Sequence, residues 1–151
     1  MPELPGGRRA RPRGERRRPA LASRCRPCAS TPSGLDAHGI VRHLTDVERS
    51  WLRDVFAGHE ELVFDWTDDP DGELHVPDGA TMEQLLAEYA AGAARCDAVV
   101  AAHQLDDVSA RRGFSLRWVL LHLLEETARH LGHLDLLREL ADGSTGEEPI
   151  G

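Results

Sequence analysis

Four residues with metal-ligating or acid–base side chains, His122, Glu126, His130 and His133, stand in one apolar run, WVLLHLLEETARHLGHLDLLREL. With Leu123 set at 0° and about 100° per residue, Leu116, Val119, Leu120, Leu134 and Leu137 span roughly −40° to +60° of a helix. On that wheel His130 falls near −20° and Glu126 near −60°, inside the apolar stripe rather than on its wet face. An ionised carboxylate facing a core requires a cation, an ionic partner or a hydrogen-bond network, because desolvation otherwise neutralises it. A metal ion with His130 as a second ligand one turn along meets that requirement, and so does a buried Glu–His pair with no metal. His122 and His133 are eleven residues apart, about 16 Å along a helix axis, so both cannot hold one ion.

The elements that must position these side chains are helical. Ile40, Val41, Leu44, Val47, Trp51 and Val55 recur at three- and four-residue steps and predict a first helix over about 35–57, with Ser33 as cap and Gly58 as stop. His43 sits at the edge of that stripe. It is a candidate third ligand, or a partly buried imidazole hydrogen-bonded locally. A second helix begins at Thr81, where Thr81 and Gln84 form a capping box, and runs to about His103 with Leu85, Leu86, Tyr89, Cys96, Val99 and Val100 as its buried face. Ser115 caps a long third helix that stops near Gly143. Residues 59–80 are acidic and broken by Pro70, Gly72, Pro77 and Gly79, so this connection folds over an opening or holds a short irregular element, with His59 and His75 in solvent.

Charge is divided along the chain. Residues 1–33 hold nine Arg against Glu3 and Glu15, a balance of +7. The remainder holds nine Arg against 24 acidic residues, a balance of −15, which gives the net −8. The basic stretch carries six of the nine prolines and no apolar period, and is expected to be disordered, as is the tail 146–151. It lacks interleaved aromatics, and the body is acidic, which argues against a nucleic-acid partner. Cys25 and Cys28 have no second ligand pair for zinc and no βαβ context for redox chemistry. Cys96 reads as a small buried hydrophobe. The longest apolar stretch, broken by His122, is far short of the ~20 residues a membrane helix needs, and no signal-peptide core is present, so the expected location is cytoplasmic.

Three facing apolar stripes argue an all-α bundle, in which sites are built from inward side chains on different helices. The segments RHLTDVERSW and SLRWVLLHLLEETARHLGHLDLLRELADG resemble the DinB-like (YfiT-type) metal-binding helical bundle superfamily, over roughly residues 33–145. More closely, they are similar to an actinobacterial branch known mainly as a domain of unknown function. The resemblance implies a four-helix bundle over 34–145 with a divalent metal bound by His43, Glu126 and His130, the Glu and His four apart as in mycothiol-dependent maleylpyruvate isomerase. It also implies a first helix ahead of the one bearing His43, which here is lacking or degenerate, its place taken by the Arg- and Pro-rich stretch. A translation start in the wrong frame, joining the true one near Pro32 or Ser33, would give that composition in GC-rich DNA; an in-frame helix-coding extension upstream is the expected sign.

Three functions fit the residues. The first is a metal-dependent thiol transferase, with mycothiol as the implied thiol, an electrophile as second substrate, and His133 or Arg129 positioning the thiol or an acidic group. The second is a non-catalytic metal-binding or stress-related bundle. The third is an interaction module in which Glu126 and His130 are a core pair. The ligand set suits Zn²⁺, Ni²⁺, Fe²⁺ or Mn²⁺. Apolar surface left by an absent helix points to a homodimer.

Overall fold

The structure, a computed structural model, describes residues 30–31, 34–60, 72–109 and 111–145. Cys25, Cys28, Ser33, most of the expected disordered stretch 1–33 and the tail 146–151 lie outside the described residues, as do residues 61–71. Within them the protein is an all-α bundle: α1 (Ala37–Glu48), a π-helical continuation (Arg49–Phe56), a short 3-10 helix (Gly72–Leu74), α2 (Met82–Ala101) and α3 (Leu116–Asp142). No described helix is long and apolar enough to cross a membrane.

The caps follow local side-chain chemistry. Asp36 Oδ1 accepts a 2.9 Å hydrogen bond from the Gly39 amide and starts α1, two residues inside the expected start and in place of Ser33. Thr81 and Gln84 form the reciprocal box that opens α2. Ser115 accepts from the Trp118 amide at the start of α3. Gly143, at φ +82°, gives α3 the left-handed turn that a side chain would oppose.

The π-helical continuation is not visible in the apolar spacing. Its hydrogen bonds close one residue later than in an α-helix, so each residue advances by a smaller angle and the buried face rotates. Leu52 and Phe56, off the expected stripe, are therefore buried with Val55, while Trp51 is half-buried. Leu52 and Phe56 meet Cys96 and Val99 of α2 and Leu116, Val119 and Leu123 of α3 in one core. Leu86, expected on the buried face of α2, is half exposed, because that helix turns a narrower stripe inward. Tyr89 donates a 2.7 Å hydrogen bond to Glu48 Oε1 and ties α2 to the first rod.

Candidate metal centre

α1 and α3 bring together the three residues singled out in the sequence. His43, seven residues past the α1 cap, is 6% exposed, and His130 on α3 is 8% exposed. Their rings lie 4.5 Å apart at 59°. One turn before His130, Glu126 points Oε2 at His130 Nε2, at 3.7 Å. One donor atom from each of His43, Glu126 and His130 lies within 4.8 Å of the other two. With bonds of about 2.0–2.2 Å to a common ion, two donors can be at most ~4.2 Å apart, so a small contraction would close the three on a cation.

A second carboxylate, from outside the two rods, reaches one nitrogen of His43. His43 Nδ1 is buried and lies 2.9 Å from Glu73 Oε2, yet the carboxylate is off the line that an N–H···O bond needs. Glu73, on the short 3-10 helix, was not among the residues expected from sequence. One glutamate in an acidic, Pro- and Gly-broken connection carries no compositional signal. Its position follows from the packing of that helix on α1, where a Cβ on Gly39 would run into the Leu74 carbonyl oxygen. Only glycine at 39, one turn before His43, permits this approach.

Electrostatics prepare His130 as a neutral donor. Burial depresses its pKa below the ordinary 6.5, and nearby His43, His133 and Arg129 act in the same direction against the opposing pull of Glu126. His133 lies beside it, the two Nδ1 atoms 3.4 Å apart. Glu126 differs from the lone core carboxylate expected from the helical wheel. Its side chain is 15% exposed, and Arg129 Nη1 donates to Oε1 at 3.0 Å, so its charge already has one cationic neighbour at the rim.

His122 is not part of this cluster and is half-buried. Its ring packs 4.5 Å from Trp51 and 5.2 Å from Trp118, which stacks on Phe114 at 4.2 Å. His59 and His75 are exposed. Cys96 is no candidate nucleophile: burial, with a smaller effect from Glu48, pushes its thiol up to about 11. A groove of about 660 Å³ between α1 and α2, lined by Arg42, Asp46, Arg49 and Glu88 among others, contains none of the three converging residues.

Compared with known families, residues 21–143 match the model of the mycothiol-S-transferase family. The chain belongs to that family. It is thereby a member of the DinB-like superfamily, in keeping with its all-α bundle. The matched span opens at residue 21, inside the stretch that composition sets apart, and closes at the Gly143 cap of α3. His43, Glu73, Glu126 and His130 all lie within it. No curated protein and no solved structure matches the chain.

Proposed function

We propose that the protein is a divalent-metal-dependent S-transferase that joins the thiol of mycothiol to an electrophile, with His43, Glu126 and His130 as the metal ligands. The observation that carries this reading is the convergence of two buried imidazoles and a carboxylate from two separate helical rods, in a chain of the mycothiol-S-transferase family. Three protein ligands leave a position for a substrate, the pattern of catalytic rather than structural sites. A bound cation there would act as a Lewis acid and lower the pKa of the thiol, so that the nucleophilic thiolate prevails near neutral pH.

The chain's own groups do the rest. His130 turns Nε2 toward Glu126 and Nδ1 toward His133. His43 has Glu73 at its Nδ1, which leaves Nε2 as the nitrogen for the ion. Each imidazole thus has a polar side chain beside one nitrogen, and a small turn of the Glu73 carboxylate would complete on His43 the hydrogen bond that orients metal-bound histidines. Glu73 is in this reading a positioning residue for His43. Arg129, 62% exposed at the rim, and His133 are placed to hold an acidic group of either substrate, and Glu126 supplies anionic charge that offsets the cation. The thiol gives up its proton to solvent and the sulfur forms the new S–C bond; the displaced electron pair departs with the electrophile's leaving group or, in an addition, stays on the neighbouring carbon, which takes a proton back from solvent.

The test is thiol consumption. Protein loaded in turn with Zn²⁺, Ni²⁺, Fe²⁺ or Mn²⁺ is incubated with mycothiol and a panel of electrophiles. Metal-dependent loss of thiol, abolished in Glu126→Ala, is the expected result. No consumption with any metal or electrophile would remove the catalytic reading. The Arg129–Glu126 pair favours a second reading, in which a core ion pair needs no metal. That reading requires absent metal and a large stability loss in His130→Ala, since the glutamate would lose its buried neighbour.

A further inference from the structure

The far side of α3 carries an apolar stripe that no other described element covers. Leu121, Leu124 and Leu131 are 56%, 64% and 55% exposed, and Ala128 between them is exposed as well. The steps of three, four and three residues put all four on one face, the spacing of a seam between paired helices. α3 packs mainly on the first rod, through its opposite side. The stripe lies about 180° round the helix from Glu126.

Read from its two ends, this stripe complements itself: large side chains meet large or small apolar ones, and charge meets opposite charge. About the level midway between Leu124 and Ala128, Leu121 is the counterpart of Leu131 and Leu124 of Ala128. One further step out, Arg117 is the counterpart of Asp135. A two-fold interface requires this property, since residue i of one copy must meet residue j of the other and the reverse. An antiparallel pair would set each Arg117 against the partner's Asp135 and each Leu124 over the partner's Ala128, where the small side chain makes room. A parallel pair would oppose like charges. Arg117 now bridges Asp106 at 3.1 Å, but both side chains are well exposed, a pair too weak to hold it back. The basic stretch at residues 1–29 offers no apolar period with which to cover the leucines.

We propose that this face of α3 is the interface of a two-fold homodimer, with the α3 helices antiparallel and centred between Leu124 and Ala128. The contact is a single helix face, so the dimer is a weak, concentration-dependent one. It leaves Glu126 and His130 facing away from the partner, and holds whether or not the metal centre does.

Sedimentation equilibrium on the full chain, from low to several hundred micromolar, tests it. The parent is expected to dimerise reversibly. Leu124→Glu or Leu131→Glu should weaken the dimer by about thirtyfold or more, as for a buried anchor. Because both leucines are exposed in the single chain, its helical circular dichroism and melting should hold. Arg117→Asp and Asp135→Arg should each weaken it on the order of tenfold, and the double variant should recover the parent constant. The oxidised Leu124→Cys/Ala128→Cys protein should form a covalent dimer. A monomer at every concentration would overturn the proposal, whether the leucines are then found covered by the chain's own basic segment or open to solvent. A dimer insensitive to Leu124→Glu and to the charge exchange would overturn it equally.

Discussion

His43, Glu126 and His130 carry the functional reading, and Glu73 is the residue that refines it. If Glu73 orients His43, Glu73→Ala should weaken metal binding roughly 10- to 100-fold, while Glu73→Gln, which keeps an acceptor oxygen, should lose less. A chelator-competition titration reads this, and a merely structural role would lower the melting temperature of the metal-free protein instead. His130 sets a pH dependence whose sign is fixed. Its pKa in the folded chain lies below the ordinary 6.5 of the unfolded chain, chiefly through burial. Below 6.5 the unfolded state therefore takes up a proton that the folded state refuses, and the metal-free protein should lose stability as pH falls from 6.5 toward the folded value. Denaturant midpoints measured from pH 8 to 5 should show the loss, and His130→Gln should flatten it. At this scale the convergence of Glu126 and His130 was legible in the sequence, because they fall on an apolar stripe one turn apart. Glu73 was not, because nothing local distinguishes it from its acidic neighbours.

The helices and their caps were legible wherever side chain and backbone act within one turn: the Thr81–Gln84 box, Ser115 and Gly143. The π-helical segment was not, since an i, i+3, i+4 pattern presupposes the α-helical angle, and the rotation that buries Leu52 and Phe56 arises from tertiary packing. The start of α1 at Asp36 rather than Ser33 is a choice between two good caps that sequence alone leaves open. Asp36→Ala should cost about 1 kcal/mol in chemical denaturation. The seating of the 3-10 helix on Gly39 gives a sharper expectation. Gly39→Ala places a methyl against a backbone carbonyl, so the 3-10 helix must move and carry Glu73 off His43. Metal affinity should fall along with stability, whereas Asp36→Ala should lower stability with little change in affinity.

At the scale of the whole molecule, two rods must stay in register for the three donors to remain within reach. A ligand that bridges them stabilises the fold by mass action, about 2.7 kcal/mol at a hundredfold excess over its Kd. Chelation should therefore lower the melting temperature of the parent by several degrees and leave His43→Ala unmoved. The all-α class was legible from periodicity, as was the family resemblance from two short segments, and the match over residues 21–143 bears that resemblance out.

The proposed function requires one ion that spans the two rods. Metal analysis by mass spectrometry of the purified, metal-reconstituted protein, beside His43→Ala, Glu126→Ala and His130→Ala, measures this directly. The expected result is about one divalent ion per chain in the parent and loss of most of it in each variant, with helical content intact. A parent that retains no stoichiometric metal, or a His43→Ala protein that retains it fully, would contradict the claim that the first rod and α3 grip the ion together.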